Sequence, residues 1–163
     1  MRAAGYALKY GYRNNKGWVY KEGCLEGTDL SETKAIDTNG MPFGGVRNGL
    51  LEVRTNDRGL LFILQLHEPL SYIPDLIENI RISNITGVGV RGNYYKSIED
   101  EHTLVTKLSN ISGIVISSMN ENEGSNIRLF QDDEILFTEE IESLDNEIKE
   151  KEVLRMDIEL CDL

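Results

Sequence analysis

The sequence predicts an α+β fold, a single domain over 1–163 with a mixed, largely antiparallel sheet and two or three short helices. Three observations carry that expectation. Residues 49–66 read as a β-hairpin, separate stretches space their apolar residues by three and four, and β-branched runs lie between those stretches. A chain of 163 residues buries roughly 70% of its unfolded surface, enough for a core without staples.

Ala4–Tyr12 is aromatic and apolar, and Trp18-Val19-Tyr20 follows a Gly-containing connection, which is a hairpin pattern. Residues 22–48 carry Gly23, Gly27, Gly40, Gly44, Gly45 and Pro42, and an irregular Gly-rich loop is expected there. Gly49–Thr55 and Leu60–His67 flank Asn56-Asp57-Arg58-Gly59 as the clearest hairpin. Leu60, Phe62, Leu64 and Leu66 form one apolar face, and Leu61 and Ile63 begin the other. Such a strand is central and covered on both sides.

Ile73, Leu76, Ile77 and Ile80 share one helical face, Ser71 can cap that helix, and Pro74 falls in its tolerant first turn. Ile82–Val90 is β-branched and reads as a strand. A second helix is expected after Ser97, with Glu99, Asp100 and Glu101 in its first turn, Leu104, Leu108 and Ile111 as its stripe, and Gly113 as its stop. Gly113–Met119 reads as a strand. Ile127–Phe130 and Ile135–Thr138 flank the acidic tip Gln131-Asp132-Asp133-Glu134 as a hairpin. A third helix is expected over Glu139–Glu150, with Ile141, Leu144 and Ile148 buried. Leu154, Met156, Ile158 and Leu160 alternate as a final strand with one wet face.

Charge is the most directional feature. Between Glu121 and Leu163 fifteen acids and four bases carry a net −11, the charge of the whole chain, so residues 1–120 are neutral. Such a one-sided field attracts cationic partners and repels nucleic acid and anionic membranes. Carboxylates interleave with aliphatics throughout this region, which points to a folded segment with an acidic outer face. The expected contact surface comprises Glu121, Glu123, Asp132, Asp133, Glu134, Glu139, Glu140 and Glu142, with Tyr94, Tyr95 and Phe130 as aromatic anchors.

No motif names a reaction. Gly87-Val88-Gly89-Val90-Arg91-Gly92 matches GxGxxG, but Asn93-Tyr94-Tyr95 is a poor helix start and no acid stands near residue 112 to hold a ribose. Gly40–Gly49 has no GK[ST] and reads as a connection or a partner-binding loop. His67 and His102 form no zinc spacing. Their enzymatic alternative is a scattered acid–base site of His67, Glu68 and His102. Three consecutive acids on a hairpin tip splay into water rather than converge on a cation. No cofactor or metal is therefore expected, and no catalytic residue is assigned. Cys24 and Cys161 lie far apart in sequence and read as free thiols. Met1–Tyr12 has no apolar signal core and no run spans a bilayer, so a soluble cytoplasmic protein is expected.

In charge and size, though not in any motif, the chain resembles immunity proteins and antitoxins that neutralise basic nuclease toxins. That resemblance implies a cytoplasmic inhibitor whose carboxylates stand in for phosphates on a cationic nuclease, without direct contact to nucleic acid or membrane. A phage-type mimic of nucleic acid, blocking a DNA-binding protein, shares the same physics and differs in partner.

Overall fold

The structure, a computed structural model, describes residues 1–67, 69–119 and 121–132. Among the described residues the chain is mostly β, with nine strands and one helix. They run in the order β1 (Arg2–Lys9), β2 (Val19–Tyr20), β3 (Lys34–Ile36), β4 (Pro42–Gly45), β5 (Leu51–Thr55), β6 (Gly59–Gln65), α1 (Ile73–Arg81), β7 (Gly87–Glu99), β8 (His102–Ser117) and β9 (Arg128–Phe130). This corrects the expected α+β fold with two or three helices.

The first sheet has the order β5-β6-β1-β9, antiparallel throughout. Its β5–β6 hairpin forms as the sequence predicts. Asn56 Oδ1 shapes the turn by accepting from the Arg58 and Gly59 backbone N–H groups at 2.9 and 3.0 Å. β6 is central and buried on both sides. Leu60, Phe62, Leu64 and Leu66 join the main core, while Leu61 and Ile63 join Ala4 and Tyr6 in a second cluster on the opposite face. Gly5 of β1 admits the crossing chain at Asn126, since a Cβ there would collide with the Asn126 backbone carbonyl.

In the second sheet, β7 pairs with one side of β8. β2 and β3 run parallel to its other side, and β4 pairs with β3. The stretch 22–48 thus contains two short strands among its turns. It follows β8 step by step. Lys21 N–H donates to Val105 O (3.0 Å), Leu108 N–H to Cys24 O (2.9 Å), and Ile111 N–H to Asp29 O (3.1 Å). Between these, the Thr28 and Thr33 hydroxyls donate to Leu108 O (2.6 Å) and Ile111 O (2.7 Å).

The helix expected after Ser97 is instead the turn and long strand of the β7–β8 hairpin. Asp100 and Glu101, read as first-turn acids, both take positive φ (48° and 67°), as a tight two-residue hairpin loop requires. The apparent helical stripe has a physical cause. Along β8, Ser112, Ser109 and Thr106 are each skipped by the β7 register. Each skip is a bulge in which two residues oppose one. From Val105 to Ile111 the buried positions are therefore Val105, Leu108 and Ile111, at a spacing of three that imitates a helix. Thr106 and Ser112 hydroxyls donate to the Tyr95 and Arg91 carbonyls of β7 (3.1 and 3.2 Å).

The one described helix forms where the spacing predicts it, with Ile73, Leu76 and Ile80 buried in the main core and Pro74 in its first turn. Tyr72, not Ser71, is its N-cap, without a side-chain cap bond. The strand expected over 82–90 begins at Gly87. β9 fulfils the first half of the 127–138 hairpin; its partner, the helix expected over 139–150 and the strand expected over 154–160 lie outside the described residues.

Candidate functional site

A polar cleft of about 440 Å³ opens between the turn 14–18, the first half of β7 and residues 121–122. Asn14 builds its outer wall, because its Oδ1 accepts from the Lys16 and Trp18 backbone N–H groups (2.9 and 3.0 Å). That turn presents Trp18 edge-on to Tyr94, with ring centroids 6.2 Å apart. The ammonium groups of Lys16 and Lys96 lie 4.8 and 4.1 Å from the Trp18 ring, within cation–π range. On the inner wall the Tyr20 hydroxyl donates to Asn122 Oδ1 (3.0 Å), while Asn122 Nδ2 donates to Ala7 O (2.9 Å). This buried asparagine ties β1 to the second sheet's edge. Burial raises the Tyr20 hydroxyl far above its ordinary value and also raises that of Tyr94, so both stay neutral donors at physiological pH.

The glycines of the GxGxxG pattern all lie in β7, inside a strand and not at a helix start. Each is small because something crosses it. A Cβ would collide with the Met119 carbonyl at Gly87, crowd the Glu121 side chain at Gly89, and collide with the Asn110 carbonyl at Gly92. These are packing glycines, and the pattern holds no phosphate loop.

The expected contact residues separate into distinct environments. Glu121 lines the cleft and accepts from Asn15 Nδ2 (3.0 Å). Glu123 is exposed, and its backbone N–H donates to Arg13 O (2.8 Å). Asp132 is held by its own chain, with Oδ1 2.8 Å from the Met1 ammonium, 3.3 Å from Gln65 Nε2 and 3.8 Å from Arg2 Nε. The hydrogen bond from the amino terminus, reinforced by Gln65, lowers its carboxyl below the usual range. Tyr94 packs on Trp18 and donates its hydroxyl to Val90 O. Phe130 packs on the second cluster of the first sheet. Tyr95 alone of the three aromatics is largely exposed, at 58%, with Ile98 at 78% further along β7. Asp133, Glu134, Glu139, Glu140 and Glu142 lie outside the described residues.

His67 follows β6 in the first sheet. His102 opens β8 in the second, where it lines a shallow cleft with Arg13, Glu99 and Asp100. The fold thus sets the two histidines on different sheets, and Glu68 lies outside the described residues. Among the described residues no three His, Cys, Asp or Glu side chains converge as a metal group. Cys24 is a buried free thiol that desolvation pushes up to about 12. Among the described residues no helix is long and apolar enough to cross a membrane. No protein-family model, curated protein or solved structure matches the chain.

Sequence reasoning missed Trp18, Asn14 and Asn122. Asn14 and Trp18 sit in a stretch legible as a turn, but the partners that make them a wall are distant in sequence. Asn122 carries no signal of its own in the sequence, and its burial depends on Tyr20 and Ala7.

Proposed function

We propose that this protein binds and neutralises a basic protein, as an immunity protein or antitoxin acts on a nuclease toxin in the cytoplasm, through its acidic carboxy-terminal region beyond residue 120. The observation that carries this reading is the charge division, with a net −11 beyond residue 120 and none before it. Such a field speeds encounter with a cationic partner by about 10–10³, and it disfavours nucleic acid as the direct ligand. Charge alone gives little affinity, and desolvated apolar anchors supply the rest. Exposed Tyr95 and Ile98 on β7 support that part of the reading.

The test is the association rate with a candidate partner, a basic nuclease domain, measured at about 0.05 and about 0.5 M salt. The expected result is an on-rate that falls at least about tenfold, with the nuclease inhibited by the complex. Equal rates at both salts, or a complex that leaves the nuclease active, would defeat the proposal. Tight binding to a DNA-binding protein instead would favour the nucleic-acid mimic.

A further inference from the structure

β7 gives one of its two edges to β8. Among the described residues no strand pairs with its other edge, although β7 runs for 13 residues. Hydrogen bonds fix which backbone groups face which way. The Arg91 and Tyr95 carbonyls accept from the Ser112 and Thr106 hydroxyls of β8 (3.2 and 3.1 Å), and the Asn93 N–H donates to Asn110 Oδ1 (3.1 Å). Odd-numbered residues therefore turn their backbone groups toward β8, and even-numbered ones turn theirs to the other edge. The start of that edge is already served, since the Val88 N–H donates to Ser125 Oγ (3.2 Å) and the Val90 carbonyl accepts from the Tyr94 hydroxyl. Further along, Gly92, Tyr94, Lys96 and Ile98 form the row that faces outward. A strand edge of this length is a template for another strand.

We propose that the occupant of this edge is the same strand of a second copy, antiparallel, about a two-fold axis at Tyr95. Charge along β7 selects it. Arg91 stands near one end of the free edge and Glu99 at the other, and both share a face with Tyr95. In this register Tyr94 pairs with Lys96 and Gly92 with Ile98 through their outward backbone groups. Tyr95 meets Tyr95, and Arg91 meets Glu99 at both ends, as non-hydrogen-bonded pairs whose side chains lie closest. A strand with opposite charges at its two ends is complementary to a copy of itself that runs the other way. The exposed acids Asp100 and Glu101 extend the negative tip, and Lys16 lines the same cleft as Arg91. Ile98, at 78% the most exposed of the large hydrophobic side chains described, comes to lie beside the partner's Gly92, which has no side chain to obstruct it. Both charged residues keep their present contacts. Arg91 spends one N–H on Thr38 O (3.1 Å) and has further donors in its guanidinium. The Glu99–Lys21 pair is long (3.9 Å) and half exposed, so the carboxylate can accept a second donor. Edge pairing sets the two Tyr95 rings side by side with their outer faces open. It is thus compatible with binding a basic partner and does not rest on it.

The test uses the full chain alone. Sedimentation equilibrium from about 5 to about 500 μM protein, at about 0.05 M salt, should show a monomer–dimer equilibrium. Arg91→Glu places glutamate against glutamate at both ends of the pairing, and Glu99→Arg places arginine against arginine. Either variant alone should dimerise at least about tenfold more weakly than the native chain. An equimolar mixture of the two variants should regain the native affinity as a one-to-one heterodimer, because every charge then meets its opposite. A merely structural role for Arg91 or Glu99 within one chain would not produce that rescue. A native chain that stays monomeric over the whole range overturns the proposal. So does a dimer indifferent to both substitutions, or one that the mixture fails to restore.

Discussion

β6 and β8 are both interior strands, yet they bury their side chains by different rules. β6 alternates strictly, so every position from Leu60 to Leu64 is buried against one cluster or the other. β8 buries every third residue from Val105 to Ile111, because a bulge at Thr106 and Ser109 resets the alternation each time, and after the bulge at Ser112 it is buried continuously from Gly113 to Ser117. The partners explain the contrast. β6 lies between two strands that run antiparallel to it without interruption for most of its length. β8 serves β7 on one side and a chain of turns from Lys21 to Ile36 on the other. Thr28, Asp29 and Thr33 meet β8 carbonyls and amides between Leu108 and Ile111. A strand's burial period is therefore a property of its neighbours as much as of its own sequence.

An aspartate scan would test this contrast most severely. Along β6, Asp at any of Leu61, Phe62 or Ile63 should destabilise by about 3 kcal/mol or more, since either face buries an unpaired charge. Along β8 the same cost should appear at Leu108 and Ile111, while Lys107→Asp and Ser112→Asp, at exposed positions, stay within about 0.5 kcal/mol. Denaturant midpoints would measure it. A helical period on β8, with Leu104 as sensitive as Leu108, would break the bulge account. Truncation gives the next effect, with Phe62→Ala expected to lose about 3–5 kcal/mol and Leu108→Ala about 2–5 kcal/mol.

The same contrast explains what the sequence disclosed. The β5–β6 hairpin was legible because Leu60, Phe62, Leu64 and Leu66 alternate and Asn56–Gly59 has turn chemistry. β8 was misread because Leu104, Leu108 and Ile111 also fit a helical stripe. The distinguishing signal was present in Val105-Thr106-Lys107, Leu108-Ser109-Asn110 and Ile111-Ser112-Gly113, an apolar residue followed by a hydroxyl at a period of three. A helix would drift off that period within two turns. Of the candidate contacts, Tyr95 stood where exposure was expected. Tyr94 and Phe130 did not, because Trp18 and the second face of the first sheet absorb them, and neither partner is close in sequence.

Hydroxyls along β8 allow a finer test. Thr33 is fully buried and its Oγ1 satisfies Ile111 O, so Thr33→Val strands a buried carbonyl and should cost about 1–3 kcal/mol. Thr106→Val removes an exposed hydroxyl bond to Tyr95 O and should cost under about 0.5 kcal/mol. Equal costs would mean that the bulge hydroxyls hold β7 as firmly as the threonines hold the turn segment.

The smallest effect separates the two strands by pH. The bulge positions of β8 are Thr106, Ser109 and Ser112, whose hydroxyls do not titrate in the acid range. β6 ends in Gln65, whose Nε2 donates to Met1 O (3.2 Å) and to Asp132 Oδ1 (3.3 Å). Asp132 is a carboxylate with a lowered folded pKa, caused first by the hydrogen bond from the amino terminus. A depressed folded value contributes stability that is present above the unfolded carboxyl pKa of about 3.9 and is lost as pH falls through the lower folded value. Asp132 is exposed, so the contribution is small and screened by salt. Asp132→Asn should therefore be slightly less stable than the native chain at pH 6 and low salt. The two should converge as pH drops below about 3.9. Thr33→Val, by contrast, should keep its full deficit across the same range, because nothing it touches changes protonation. A difference for Asp132→Asn that persisted undiminished through acid would show that Asp132 holds the end of β6 by shape and not by charge.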